Sequence, residues 1–376
     1  MLARTAGIVE RIESERPGLQ ELRVRTDSGV RRAINYTGLN RRLEAGDRVV
    51  LNTWAVELGL GTGGADFVVE EGRAALEEPA GHVLKLRYTP LQFPVLAAEA
   101  PESPHHRALR NFRTLSGTPV VCAELHSQVP AVAAAVKWEC PRARVAYVMT
   151  DGAALPMAYS RLVPRMKECG LLDATVTAGQ AFGGDFEAVN LYSGLAVARQ
   201  AAGADAIIVC QGPGNTGTQT ELGFSGLDQG IALNAAASLD GTPIAVVRMS
   251  LADPRARHRG ISHHTLTVLD RVALAPAFVP IPRLTGEAFR LLRATLDRRG
   301  LLERHEFITV DAEQGFQALA RAGIQVTTMG RPLEQEREFF LSAAAAGLVA
   351  GQWVAGTLME HVERITDHDR QHDCGH

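Results

Sequence analysis

The stretch that decides the fold is residues 206–217, AIIVCQGPGNTG, in which an apolar run passes directly into a polar, glycine-rich segment. The same succession recurs at 120–127 (VVCAELHS), 145–152 (VAYVMTDG), 174–185 (ATVTAGQAFGGD) and 244–250 (IAVVRMS). Helical patterns follow these segments at 129–138, 157–169, 186–202, 228–239 and 265–271. Strands that alternate with helices are typical of βαβ units around a parallel sheet. We therefore predict a mainly parallel, doubly wound α/β sheet with helices on both faces, and a ligand site at its carboxyl edge.

The segments before and after these strand–helix units complete the predicted domain organisation. Residues 1–95 contain short strands and turns, which predict a small β-barrel of the OB or SH3-like kind that a strand at 82–88 would complete. Residues 96–118 are expected to form a linker, 119–366 the α/β domain with the ligand site, and 367–376 a frayed tail. Beyond residue 282 we expect a helix at 287–298, a strand at 307–310, a helix at 315–322, a strand at 324–328 and two final helices at 334–347 and 351–365.

Composition limits the classes of function. The 376 residues are 46% hydrophobic and carry a formal net charge of −3, so overall charge gives no reason to expect nucleic acid or an anionic membrane as partner. The apolar runs are far shorter than the ~20 residues of a membrane span. The five cysteines show no CxxC spacing, which favours reduced thiols and a cytoplasmic protein.

The glycine-rich segment after residue 210 is the first candidate site. Gly212, Gly214 and Gly217 match G-x-G-x-x-G, and Asn215 lies between the last two glycines. Pro213 removes one backbone donor, and no acidic ribose ligand ends the next strand. These departures disfavour a standard dinucleotide or P-loop site and leave two readings: a loop for another anionic or polar ligand, or a plain connecting turn.

The second candidate is a cluster of basic residues between 248 and 264. Arg248, Arg257 and Arg259 are expected to hold a carboxylate or phosphate, with His263 and His264 near the start of a helix capped by Ser262. A histidine at a helix start is pushed towards its neutral form and can serve as base or metal ligand. The alternative is a solvated basic loop.

Further polar residues follow other predicted strands. Glu124, His126, Asp151 and Asp185 are candidate acid/base groups or metal ligands together with His263 or His264. Gly183 and Gly184 are candidate ligand-lining residues. Asp185 could instead cap the helix at 186–202, and Asp151 could be a turn residue. No HExxH or HxH spacing is present, so the cofactor stays unknown, with a divalent metal held by mixed nitrogen and oxygen ligands as one option.

Several longer motifs together resemble a known family. They are 51–64, His82–Leu91, Leu125–Gln128, Met149–Pro156, Ala181–Asp185, Gly223–Gly226 and His258–Leu266. Over nearly its full length the chain resembles the uncharacterised bacterial family DUF3866, a domain of unknown function. The resemblance implies a bacterial cytoplasmic setting and transfers no activity, substrate or catalytic residue.

These observations favour an enzyme, a hydrolase or a transferase, that acts on a small phosphorylated or carboxylated metabolite at the carboxyl edge of the sheet. One alternative is a module that senses a metabolite or binds a partner without catalysis. Another is weak nucleic-acid binding through the barrel, whose basic residues are interspersed with acids and where only Tyr36 and Trp54 are candidates for stacking on bases. The expected partner is a small anionic ligand rather than a membrane or nucleic acid; a homo-oligomer is left open.

Overall fold

The computed structural model describes residues 4–57, 64–69, 81–89, 91–284, 286–358 and 363–365. The chain divides into two units, Met1–Leu96 and Ala97–His376. The tail expected at 367–376 lies outside the described residues.

The first unit contains a closed five-stranded barrel, as predicted. Its strands are β1 (Arg4–Arg16), β2 (Leu19–Thr26), β3 (Gly29–Tyr36), β4 (Arg48–Asn52) and β5 (Asp66–Val69), in the order β1-β2-β3-β5-β4, and the short helix α1 (Trp54–Glu57) follows β4. Val9, Leu22, Val24 and Leu51 fill its interior. The strand expected at 82–88 is shorter, β6 (Val83–Lys85), and pairs with β7 (Phe93–Val95) in a separate ribbon, so the prediction that it completes the barrel is wrong.

Basic side chains of the barrel are neutralised by its own acids. The ion pairs are Arg23–Glu13, Arg25–Glu10, Arg31–Asp66, Arg32–Glu21, Arg41–Asp47 and Arg42–Glu15. Tyr36 stacks on Phe67 with ring centroids 5.9 Å apart. The barrel surface is therefore mixed in charge rather than a basic stripe.

The second unit is the predicted α/β fold. Its strands are β8 (Pro119–Cys122), β9 (Val145–Thr150), β10 (Ala174–Thr177), β11 (Phe186–Glu187), β12 (Ala206–Gln211), β13 (Thr242–Ala245), β14 (Met249–Ser250), β15 (Gly260–Ile261), β16 (Phe278–Pro282), β17 (Glu306–Val310), β18 (Thr327–Thr328), β19 (Arg331–Pro332) and β20 (Glu363–Arg364). Its helices are α2 (His106–Arg110), α3 (Val129–Glu139), α4 (Leu162–Glu168), α5 (Leu191–Gln200), α6 (Asp228–Ser238), α7 (His263–Thr267), α8 (Gly286–Arg298), α9 (Leu301–Arg304), α10 (Glu313–Arg321) and α11 (Arg337–Ala355).

The main sheet has nine strands in the order β11-β10-β9-β12-β8-β13-β16-β17-β20, all parallel except β20. Alternate residues of β8 point to opposite faces: Val120 packs with Leu195 of α5 and Leu233 of α6, whereas Val121 packs with Val132 of α3 and Phe340 of α11. The sheet is therefore covered on both faces, which explains why its strands are apolar throughout.

The strand order creates a crevice at the carboxyl end of β8. From β8 the chain turns into α3 on one face, whereas from the neighbouring β12 it passes to α6 on the other. Connections that leave adjacent strands towards opposite faces open a gap between them, the usual ligand position in such sheets.

Residues 97–118, expected as a linker, are packed into this unit. They include α2, and Ala98 and Leu115 are buried in the core on the α5–α6 side. Leu115 donates a backbone hydrogen bond to the carbonyl of Leu239 at 2.7 Å, which fixes the segment before β8.

Two helix predictions need correction. Residues 186–187 form β11 instead of a helix, and α5 begins only at Leu191, where the Asn190 side chain accepts a hydrogen bond from the backbone N–H of Ser193 at 3.0 Å. Asn190, not Asp185, is thus the cap. The helix expected at 157–169 is divided into a 3₁₀ turn and α4.

The two helices expected at the end of the chain are one, α11. Gly347 and Gly351, which look like helix breaks in the sequence, lie where α11 crosses α3: a Cβ on Gly347 would approach the carbonyl oxygen of Val132 to 2.3 Å. These glycines permit close contact between helices. By length and composition α11 resembles a membrane span, but two thirds of it (67%) is buried within the fold, and core packing accounts for its apolar character.

Candidate functional site

A buried carboxylate occupies the crevice at the end of β8. Glu124 is fully buried, and its Oε1 accepts hydrogen bonds from Nη1 of Arg248 at 3.0 Å and from Nδ1 of His264 at 2.8 Å. Glu124 follows β8, Arg248 follows β13, and His264 lies in the first turn of α7. The pairing therefore joins the three segments that surround the crevice.

The surrounding residues hold this group in place. A Cβ on Gly226 would lie 2.5 Å from Cγ of Glu124, so only glycine allows the loop before α6 to pass so closely. The ring of Phe224 stacks on His264 with centroids 3.8 Å apart and an interplanar angle of 5°. The segment before α6 and the basic segment singled out in the sequence thus meet at Glu124.

The charges of the pair are matched. Burial alone would raise the pKa of Glu124, but the hydrogen bond from His264 and the positive charge of Arg248 outweigh it, and the pKa lies below its ordinary value. Glu124 is therefore ionised. Because the carboxylate accepts the hydrogen bond at Nδ1, His264 carries its proton there and presents Nε2 as a lone pair when neutral.

Three histidines gather next to this pair. Each of His258, His263 and His264 offers one ring nitrogen, and the three nitrogens all lie within 4.8 Å of one another. Nδ1 of His258 lies 2.8 Å from Oγ of Ser262, which also accepts a hydrogen bond from the backbone N–H of His264. Ser262 is the predicted cap of α7 and serves both histidines.

Two of these histidines, His258 and His263, are kept neutral. Burial, reinforced by the charges of Arg248 and Arg255, lowers the pKa of His258 to about 3. Burial, together with His264 and Arg257, lowers the pKa of His263 to about 4. At neutral pH both imidazoles therefore keep a free lone pair, which is the form that accepts a proton or binds a metal ion.

The arginines of the cluster have different environments. Arg248 is buried with Glu124, and Arg255 forms a two-pronged pair with Asp253 at 2.9 and 2.8 Å. The side chains of Arg257 and Arg259 are exposed, and neither makes an ion pair with any residue in the described ranges. These two guanidinium groups are the ones available to an incoming anion.

Several buried polar atoms near the crevice lack a hydrogen-bond partner within the described part of the chain. They are Oε2 of Glu124, Oε1 of Gln211, Oε1 of Gln229 and Nε2 of His263. Native interiors satisfy the great majority of such groups. Their concentration here is what a site that receives water or ligand atoms would show.

The glycine loop after β12 is a turn and not a helix start. It folds back on itself through hydrogen bonds from Thr218 to Gly223 and from Ser225 to Thr216, and α6 begins only at Asp228. Gly214, Asn215 and Gly217 are exposed on it, whereas Gly212 is buried against the carbonyl of Ala154. The loop therefore lacks the helix N-terminus that a dinucleotide-binding motif requires.

Asn215 still connects this loop to the site. Its Oδ1 accepts hydrogen bonds from Oγ of Ser225 at 2.8 Å and from Nε2 of Gln211 at 3.5 Å, and Gln211 also donates to the carbonyl of Glu124 at 3.1 Å. The loop is thus linked through Gln211 to the backbone of Glu124.

Asp151 holds a neighbouring turn. Its Oδ2 accepts a hydrogen bond from the backbone N–H of Gln180 at 2.8 Å, the turn role considered in the sequence. Burial raises the pKa of Asp228, and the negative charge of Asp151 adds a smaller increase. Asp228 also accepts a hydrogen bond from Thr150.

His126 lies among core residues on the α3 side of the sheet. Its Nδ1 is 3.0 Å from the hydroxyl of Tyr147 and its Nε2 is 2.7 Å from Oγ of Ser160, so both ring nitrogens are already satisfied. Burial lowers its pKa to about 4. No contact links it to the other candidates in the described ranges.

Asp185, Gly183 and Gly184 lie at the far edge of the sheet, after β10. Asp185 accepts hydrogen bonds from Lys167 at 2.5 Å and from the backbone and hydroxyl of Thr175 at 2.8 and 2.9 Å. Gly183 donates to Oε1 of Glu187 at 2.6 Å. This network fixes the β10–β11 turn, and two strands separate it from β8.

Sequence reasoning considered Glu124 only as one of several acid/base or metal candidates, and it gave no role in the site to His258, Phe224 or Gly226. Glu124 and His258 were visible as polar residues next to strand ends or histidines, but no spacing distinguishes them from solvated residues. Phe224 and Gly226 gave no chemical signal, because their roles are stacking and close approach.

Comparison with known proteins is limited to the family level. No curated protein matches the chain. The sequence model described as "Protein of unknown function (DUF3866)" matches residues 32–347 of the 376, which is nearly the full length of the chain. The chain therefore belongs to the DUF3866 family.

Proposed function

We propose that this protein is a hydrolase or transferase acting on a small phosphorylated or carboxylated metabolite in the crevice at the end of β8. The observation that carries the proposal is the buried Glu124 carboxylate, which binds His264 and Arg248 beside two further neutral histidines. A buried ionised group that orients a histidine is the arrangement by which enzymes activate an oxygen nucleophile.

Each part of the site has a role in this proposal. The histidine cluster (His258, His263 and His264) activates the nucleophile, which is water in a hydrolase and an acceptor hydroxyl in a transferase. Glu124 orients His264 and offsets positive charge at the histidine cluster. Arg257 and Arg259 bind the anionic group of the substrate, since guanidinium groups form charge-assisted hydrogen bonds with phosphates and carboxylates.

A cytoplasmic location in a bacterium is part of the same proposal. The buried thiols Cys122 and Cys210 are unpaired, as expected in a reducing cytoplasm, and the bacterial origin rests on the family resemblance. The ion pairs of the barrel arginines disfavour a nucleic-acid function, because each of those cations already has an acidic partner.

A substrate panel with matched arginine variants tests the proposal. Wild-type protein is assayed with phosphate monoesters and with esters and amides of small dicarboxylates, beside the double variant Arg257→Ala/Arg259→Ala and the control Arg142→Ala. Arg142 is also exposed but precedes β9, at the opposite edge of the sheet. We expect turnover by wild type and by the control, and a KM about 10–100-fold higher in the double variant.

Two outcomes would oppose the proposal. Binding of an anion by wild type without turnover of any member of its class would favour the metabolite-sensing module. An unchanged KM in the double variant would remove Arg257 and Arg259 from the site.

A further inference from the structure

The histidine cluster has the composition of a metal site. Three imidazoles converge, and no carboxylate belongs to the group. Imidazole ligands suit zinc and other late transition metals, whereas Mg²⁺ and Ca²⁺ prefer oxygen ligands. In a tetrahedral zinc site with Zn–N bonds of 2.0–2.1 Å, ligand nitrogens lie roughly 3.3 Å apart. The separations here are at most 4.8 Å, so binding of an ion would draw the three nitrogens closer together.

We propose that His258, His263 and His264 bind one Zn²⁺ ion and leave its fourth position open to water or substrate. Three protein ligands with an open position are typical of catalytic zinc, whereas structural zinc has four. The role of the ion as activator of the nucleophile rests on the proposed function, but the binding itself does not.

The hydrogen bonds around the cluster are those of metal-ligating histidines. His264 donates Nδ1–H to Glu124, the carboxylate–histidine arrangement that fixes the tautomer and directs Nε2 to a metal. His258 contacts Ser262 through Nδ1, which leaves its Nε2 available in the same way. Nε2 of His263 is buried and has no partner within the described residues.

Positive charge on the neighbouring arginines would oppose the binding of a dication, so these arginines need acidic partners. Glu124 neutralises Arg248, and Asp253 neutralises Arg255. Of the remaining cations, Arg257 and Arg259 are exposed and free to bind the substrate anion, which would also approach the metal.

Zinc binding to the full-length protein tests this directly. The protein is treated with a chelator, exchanged into chelator-free buffer and titrated with ZnCl₂ by calorimetry, and Co²⁺ loading is followed by visible absorption. We expect one tight site per chain and the strong absorption of four-coordinate Co²⁺. We expect His263→Gln, the least buried ligand, to weaken Zn²⁺ binding at least ~100-fold, and Glu124→Gln to weaken it about 10–100-fold through His264.

Two controls separate this site from adventitious binding. His106→Ala removes a histidine of the same unit whose Nδ1 contacts the carbonyl of Glu99, and should leave affinity unchanged. Substitution of His368, His372 and His376 by alanine together with Cys374→Ser removes the tail donors, and the tight site should persist. Circular dichroism verifies that each variant is folded.

The proposal is overturned if wild type binds no zinc tightly, if His263→Gln binds like wild type, or if the tail variant loses the tight site. Zinc binding without turnover would contradict the proposed function and leave the metal site standing. Turnover by zinc-free protein would contradict the role of the ion as activator of the nucleophile and leave the proposed function standing.

Discussion

Oε1 of Glu124 lies 2.8 Å from Nδ1 of His264, although 140 positions separate the two residues in the chain. The same oxygen also accepts a hydrogen bond from Arg248. The three side chains form one buried unit at the crevice of the sheet, so the removal of one charge affects the others.

Glu124→Gln tests the electrostatic part of this unit. The substitution keeps the shape but leaves the buried Arg248 without a counter-charge, and the free energy of unfolding should fall by about 3–5 kcal/mol. Urea unfolding at neutral pH measures it. The double variant Glu124→Gln/Arg248→Met should be less destabilised than the sum of the single variants. Simple additivity would contradict the coupling.

Gly226→Ala tests the close approach of the loop to Glu124. An added Cβ would lie 2.5 Å from Cγ of Glu124, so the carboxylate must move, with a loss of about 1–3 kcal/mol and weaker zinc binding. Gly38→Ala is the control, because nothing lies within 4 Å of its added Cβ. Equal stability of the two variants in thermal unfolding would count against the packing described here.

His126 should make the stability of the protein depend on pH, and it should not contribute to the candidate site. Burial lowers its pKa to about 4 in the folded protein, below the ordinary value of 6.5. As the pH falls through this interval the unfolded chain binds the proton first, so stability is complete above pH ~6.5 and declines towards pH ~4, by about 3 kcal/mol for this group.

His126→Gln should remove that part of the pH dependence. Urea unfolding of wild type and variant at a series of pH values measures the difference, and subtraction cancels the contributions of other histidines. Zinc affinity should stay within a few-fold of wild type. A large loss of zinc affinity in a folded His126→Gln variant would indicate that His126 belongs to the site.

Asp185→Asn tests the structural role of the β10–β11 turn. Lys167 and the hydrogen bonds from Thr175 outweigh burial and hold the pKa of Asp185 below its ordinary value. The ionised form is thus favoured in the folded state, and its contribution is present above pH ~4 and lost on further acidification. The carboxylate is partly exposed, so we expect a loss of only about 1 kcal/mol at pH 7.

The control for Asp185→Asn is Glu168→Gln, which removes an exposed pair with Arg165. Its effect on unfolding should be close to zero. A loss of turnover in folded Asp185→Asn protein would contradict the assignment of Asp185 to the turn.

The fold was predictable because its strands are short apolar runs followed by polar segments, and buried parallel strands require that pattern. The wrong helix predictions concern residue types that can play two structural roles. Gly347 and Gly351 look like helix breaks but allow α11 to approach α3, and Asp185 looks like a cap but accepts hydrogen bonds from Thr175.

The site was predictable only in part. Arg248, His263 and His264 stood out because basic residues cluster near a helix start, and the structure brings them together. Their partner Glu124 depends on strand order: β8 must lie between β12 and β13 before its end can meet α7. A single sequence does not determine that order.

X-ray absorption at the zinc edge of the zinc-loaded full-length protein tests most directly whether the histidine cluster binds the metal ion. The spectrum should fit three imidazole nitrogens and one oxygen at about 2.0–2.1 Å from the metal. A sulfur ligand at about 2.3 Å, or a shell with fewer than two imidazoles, would contradict the assignment.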